Sequence, residues 1–156
     1  MNGYLCDVDF EPKSLDVVTI LESLFYMPDP RRELSYVARI LQDGGLLAIA
    51  TPGYTYQRLR HSGPVSRLLY GNRCSLTRSH LFYFSRKSLT ALLKSAGFHL
   101  VETVPLGSSV YGSRAARFAR ATYITLSGAL STLTFGHINL APHVLYLCQK
   151  SEGARA

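Results

Sequence analysis

Hydrophobic and polar residues along the chain follow two periods, and their alternation sets out the elements. Ser14–Ile20 (SLDVVTI) is a short β-branched run after a Pro-Lys turn, and it predicts a buried strand. Met27-Pro28-Asp29-Pro30 then breaks the pattern. Asp29 is suited to cap a helix, and Pro30 to open it where a missing N–H costs no bond. Leu34, Val37, Ala38 and Leu41 recur at the spacing of a helical stripe, which Gly44-Gly45 is expected to stop. Leu46–Thr51 (LLAIAT) predicts a second buried strand, closed by Pro52-Gly53. Strand, helix and strand joined by short connections make a βαβ unit, with parallel strands and a right-handed crossover.

The stretch from Tyr54 to His80 is polar, basic and aperiodic, and longer than a plain connection. Loops of that kind tend to carry function. Ser85 caps a second helix striped by Leu89, Leu92, Leu93 and Ala96 and ended by Gly97. Phe98–Val104 predicts a third strand and His143–Gln149 a last one. Between them, Arg114, Arg117 and Arg120 precede an uncharged run, Ala121–Leu133. That run is rich in Ser and Thr and short of the roughly 20 apolar residues a membrane span needs. It predicts a helix packed on the sheet, with membrane-surface contact by 114–133 as the lesser alternative.

A chain of 156 residues suits one domain with a core. Cys6, Cys74 and Cys148 form no CxxC pair, so neither a metal site nor a disulfide framework is expected, and a reducing cytoplasm is the natural setting. No basic segment with an apolar core opens the chain, so no signal peptide is expected. The net charge of +7 is unevenly placed. No acidic residue lies between Asp43 and Glu102, a stretch holding Arg58, Arg60, Arg67, Arg73, Arg78, Arg86, Lys87 and Lys94. Such a block concentrates anionic partners; a solvated basic face accounts for the same charges more plainly.

Six short motifs then occur in order. Gly3–Asp16 (GYLCDVDFEPKSLD) with the following VVTI, Pro28-Asp29-Pro30, RILQDGG, ATPG, His80–Ser85 (HLFYFS) and Ala96-Gly97-Phe98 resemble class I S-adenosylmethionine-dependent methyltransferases of the ubiquinone-biosynthesis type. That family writes FDVV, PDP, RxLxPGG, TP, HLYYFS and AGF at these places. The resemblance runs from Gly3 to Val104. It implies an α/β fold, the C-terminal half of a doubly wound Rossmann-like sheet with parallel strands, an antiparallel last strand and helices on the faces. It further implies one truncated domain: a strand-helix-strand core over 1–53, a basic substrate cap over 54–84, helix and strand over 85–104, a variable helical insert over 105–141 and a last strand over 142–150.

The family's glycine-rich loop and its acidic ribose ligand have no counterpart in this sequence, and Gly107, Gly112 and Gly128 do not make a GxGxG. Those parts hold the cofactor by helix N-terminus and hydroxyl contacts. Losing three or four hydrogen bonds, at about 0.5–3 kcal/mol each, removes roughly three decades of affinity or more. The chain alone is therefore expected to be inactive, although the resemblance implies S-adenosylmethionine as cofactor.

In parallel sheets, ligands sit beyond the carboxyl ends of the strands, here at Leu21 and Glu22 and at Thr51 and Pro52. By resemblance, Leu5, Cys6, Asp7, Leu21 and Glu22 border the cofactor, and Glu22, Tyr26 and His80 are the catalytic candidates. The family often has Glu-His before its PDP loop, where this chain has Phe25-Tyr26. A tyrosine titrates too high to be an easy base, which leaves His80 to substitute. Each has a plainer alternative: an exposed carboxylate for Glu22, a strand end for Cys6, a loop-fixing side chain for His80. Asp16 reads as architectural. The basic cap would suit an anionic small-molecule acceptor. The open edge of SLDVVTI would suit a second copy or a partner chain. Three functions follow: a methyltransferase, favoured by motif order; a non-catalytic binding or regulatory module paired with a partner; and a nucleic-acid-binding domain, which has charge but no recognition motif.

Overall fold

A computed structural model of the chain describes residues 5–61, 80–107, 114–134 and 139–151. The carboxylate of Asp29 accepts a hydrogen bond from the Arg32 N–H at 3.0 Å, and Pro30 opens helix α1 (Pro30–Ile40). Leu34, Val37, Ala38 and Ile40 of α1 are buried. The chain then passes straight into strand β2 (Leu41–Pro52). Leu41, expected to close the helical stripe, is instead a buried strand residue, and Gly44-Gly45 lies inside β2 rather than at a helix cap. The reason is a bulge. Strand β1 (Leu15–Leu21) pairs Leu15 with Leu41 but Val17 with Leu46, so β2 carries extra residues, Gly44 among them at φ +77°. A Cβ at Gly45 would lie 2.9 Å from the Gln42 carbonyl oxygen, so this close approach requires a glycine.

Strand β1 runs parallel to β2, and β4 (His143–Lys150) lies antiparallel between β2 and β3 (Phe98–Leu106), giving the order β1-β2-β4-β3. This mixed sheet with flanking helices is the expected half of a Rossmann-like methyltransferase fold. Helix α2 (Tyr54–His61) corrects the reading of Tyr54 onward as aperiodic loop. Its first turn closes on the Gly53 carbonyl, which accepts from the Gln57 N–H at 2.9 Å, and Tyr56 packs edge-on against Tyr123. Tertiary contact thus supplies what so short and polar a segment lacks in periodicity. Arg67, Arg73, Cys74, Arg78 and Gly112, and the side chains of Arg60, Arg114, Arg117 and Arg120, lie outside the described residues. Helix α3 (Arg86–Ser95) is capped by the Ser85 hydroxyl and ended at Gly97, φ +83°. Helix α4 (Arg114–Leu133) packs over Pro105 and Gly107 of the β3 region. None of the described helices is long and apolar enough to cross a membrane.

The paired registers divide the sheet into two faces. On one, Ile20, Leu47, Ile49, Val144, Tyr146 and Cys148 join Leu34, Val37, Leu89 and Leu93 of α1 and α3 in the core. Burial there pushes the Cys148 thiol up to about 12. On the other, Val17, Leu21 and Leu46 are 54%, 59% and 48% exposed. Where β2 begins, the nearly buried Lys150 ammonium donates to the Leu41 carbonyl at 2.7 Å and pairs with Asp43 at 3.2 Å. Lys13 reaches the same carboxylate at 2.6 Å, and the two lysines hold Asp43 below the usual carboxylate range.

Candidate functional site

Glu22 follows β1 directly, and its backbone N–H still donates to the Ala50 carbonyl at 3.0 Å. Its φ of +52° lies in the left-handed region. For a residue with a Cβ that conformation costs about 1–2 kcal/mol, and such outliers cluster where a side chain must be aimed. Here the carboxylate reaches past the end of β2 to His143, whose Nδ1 lies 2.9 Å from Glu22 Oε1. His143 is the first residue of β4 and pairs with Pro52 of β2 and Leu106 of β3. Both side chains remain partly open to solvent.

A single 3-10 turn, Leu24–Tyr26, follows. It buries Phe25 and leaves Tyr26 about half exposed. The Phe25 carbonyl accepts from the N–H groups of Leu81 and Phe82, which ties the segment after His80 to this turn. The His80 ring therefore sits 4.3 Å from Phe25, 5.1 Å from Tyr26 and 5.3 Å from Tyr83 between centroids. Burial pushes the His80 imidazole below its ordinary value, and the nearby charge of Glu22 opposes that shift only in part. At neutral pH the ring is neutral. Glu22 and Tyr26, four residues apart, thus meet the distant His80 at one end of the sheet.

Leu5, Cys6 and Asp7 form a 3-10 turn laid on α1. Leu5 packs against the core, and Asp7 is exposed. Cys6 is bound twice to the buried carboxylate of Glu33, through its N–H at 3.2 Å and its Sγ at 3.0 Å. That hydrogen bond, followed by desolvation, raises the thiol above its usual value. Tyr36 fastens the same segment by donating to the Val8 carbonyl and accepting from the Phe10 N–H. Leu21 stands exposed at the end of β1. The buried Thr51 hydroxyl, at the matching end of β2, has no hydrogen-bond partner among the described residues. No group of three His, Cys, Asp or Glu side chains suited to a metal occurs among them.

Two participants escaped the sequence reading. No local pattern in the sequence marks Glu33 as buried. His143 did carry a signal. The first residue of an antiparallel last strand must lie where the parallel strands end, and that is where ligands bind in such sheets.

Residues 5–103 match the family described as methyltransferase domain. The chain belongs to that family. Its methyltransferase fold is also found in solved structures, at identities that speak for the fold alone. A chain from the complex of the Haloferax volcanii Trm112 methyltransferase activator with a methyltransferase superposes with a TM-score of 0.59 at 21% identity, over 99% of this chain and 61% of that one. An S-adenosylmethionine-dependent methyltransferase from Mesorhizobium loti gives 0.56 at 16%, over 92% and 65%. The [4+2]-cyclase SpnF gives 0.54 at 14%, over 94% and 54%. This methyltransferase-family chain thus spans somewhat under two thirds of the length of these three. The likeness to a cyclase is a reminder that this fold carries more than one chemistry.

Proposed function

We propose that the chain forms the acceptor side of a methyltransferase that uses S-adenosylmethionine to methylate a small molecule. The observation that carries this reading is the Glu22–His143 pair, held at 2.9 Å at the carboxyl end of β1 in a methyltransferase-family domain. The described residues fit one flank of the cofactor. Leu21 offers an exposed apolar side chain, Glu22 a half-exposed carboxylate and Tyr26 a ring face, a set suited to a cationic sulfur and its neighbouring carbons. In the turn before them the Cys6 N–H is committed to Glu33, so contact with the base would fall to Leu5 and Asp7. Bound cofactor would supply a methyl group on a positively charged sulfur.

The side chains divide the remaining work. Glu22 accepts the Nδ1 proton of His143 and thereby fixes the tautomer, which leaves Nε2 with a lone pair for the proton of an oxygen or nitrogen acceptor. Neutral His80, with Phe25 and Tyr26, supplies an aromatic wall that orients the acceptor, since methyl transfer depends first on alignment. The basic segment 54–84 acts as the acceptor cap and favours an anionic substrate. Because the sequence holds no GxGxG, full cofactor affinity requires a complementary segment or partner paired with the open edge of β1 and covering the apolar face beside it. That exposed apolar face also supports a second reading, a regulatory module whose work is pairing rather than catalysis.

Calorimetric titration with S-adenosylhomocysteine separates the two. Weak binding, well short of that of a complete site, is expected, and it should weaken further by about tenfold in Glu22→Gln, which removes a charged partner. Binding left unchanged by that substitution would take Glu22 out of the cofactor site. No heat up to about 1 mM would leave the regulatory reading in place.

A further inference from the structure

A second concavity opens on the other side of the sheet, beneath the helices. It has a volume of about 700 Å³ and lies between the start of α2, the outer flank of α3 and the first half of β4. The size falls within the range of small-molecule sites, roughly 300–1,000 Å³. It shares no described residue with the Glu22–His143 cluster. Strand alternation keeps the two apart, because Val144 and Tyr146 project into the helix-covered face and His143 to the opposite one.

The chemistry of its lining is one-sided. Arg86, Lys87 and Lys94 contribute three cations, and none of the described residues lining the cavity is acidic. Lys87 and Lys94 make no ion pair among the described residues. The floor is Tyr146, whose side chain is 96% removed from solvent yet borders the cavity. Among the described residues its hydroxyl has no hydrogen-bond partner. The oxygen is not sealed from solvent, so a ligand atom entering the cavity can accept a hydrogen bond from it. Burial raises the phenol above its ordinary range against the pull of Arg86, so it remains a donor at neutral pH. Val144, Ala91 and Tyr54 add apolar lining to the same cavity.

We propose that this cavity binds a small organic anion, a carboxylate or phosphate monoester carried on a flat apolar body. The oxyanion meets the cations of α3 and the Tyr146 hydroxyl, and the body lies along Val144 and Tyr54. The inference goes beyond methyl transfer and does not depend on it.

Calorimetric titration of the full chain with phenyl phosphate, 3-phenylpropanoate and the neutral 3-phenylpropan-1-ol tests it. At least one anion is expected to bind about tenfold or more tightly than the alcohol, and the tighter of the two identifies the headgroup. Tyr146→Phe, which keeps the ring, and Lys94→Ala, on the exposed flank of a helix, should each weaken that anion by roughly three- to tenfold. Glu22→Gln should leave it unchanged, in contrast to S-adenosylhomocysteine binding. An alcohol that binds as well as the anions would overturn the proposal, as would wild-type affinity in both cavity variants. So would the absence of anion binding up to about 10 mM.

Discussion

Leu46 and Leu47 are neighbours in one strand, and one is half exposed while the other is fully buried. The same contrast runs across the sheet. Ile20, Leu47, Ile49 and Cys148 are enclosed by α1 and α3, whereas Val17, Leu21 and Leu46 face outward. Both faces are built from the same apolar residue types. A run such as LLAIA, apolar at every position, belongs to a strand meant to be covered on both sides, since a strand with one wet face alternates. The sequence therefore anticipates cover that the described helices supply to one face only. Contiguous outward apolar surface of this kind marks an interaction surface more often than an ordinary exterior.

The first way to break this comparison is to truncate both leucines. Leu47→Ala should cost about 2–5 kcal/mol in chemical denaturation, the usual price of a core cavity. Leu46→Ala should cost under about 1 kcal/mol. Equal losses would mean that the outward face is covered in solution. A second test concerns Glu22, at the end of the strand that borders the open face. Glu22→Gly and Glu22→Ala both remove the His143 contact, but only glycine relaxes the left-handed backbone. The glycine variant should be the more stable by about 0.5–1 kcal/mol in thermal melts, and equal stability would remove the argument from strain. Third, replacing Val17 and Leu46 with lysine should change stability by less than about 0.5 kcal/mol. It should abolish any self-association seen by analytical ultracentrifugation; association that persisted would place the contact elsewhere.

The smallest effect concerns pH. Hydrogen bonds from Lys13 and then Lys150 depress the folded-state pKa of Asp43, so its stabilisation is complete above the unfolded value of about 3.9. The stabilisation is lost as pH falls through the lower folded value. Denaturation midpoints followed from pH 5 downward should decline less steeply in Asp43→Asn than in the wild type, and parallel curves would refute the linkage.

Much of this architecture was legible before any coordinates. Asp29 and Pro30, Ser85 and Gly97 placed the starts and stop of two helices because capping chemistry is local. The resemblance carried by the motifs from SLDVV to AGF implied parallel strands followed by an antiparallel last one, and β4 is that strand. The boundary at Leu41 was misjudged because its spacing fitted both the end of a helical stripe and the start of a strand. The bulge that decided between them depends on pairing with β1. Helix α2 was missed for a related reason, its support coming from Tyr123 in a distant helix. At the candidate site, the sequence offered Glu22, Tyr26 and His80 one by one, and the fold brings them within reach of each other. The Glu22–His143 contact spans 121 positions and the Cys6–Glu33 contact 27, distances over which no periodicity speaks.

Placing β4 between β2 and β3 also has a consequence for biosynthesis. Gln149 bonds the Gly44 carbonyl across 105 positions, and the strand that joins β3 to the rest of the sheet is the last of the four described strands in chain order. Until His143–Lys150 clears the ribosome, β1 and β2 can pair only with each other, while β3 waits without a neighbour. Long-range pairing of this kind slows folding and leaves strand edges open to wrong partners. A chain truncated before residue 143 should therefore be far more dependent on chaperones than one that runs past Lys150.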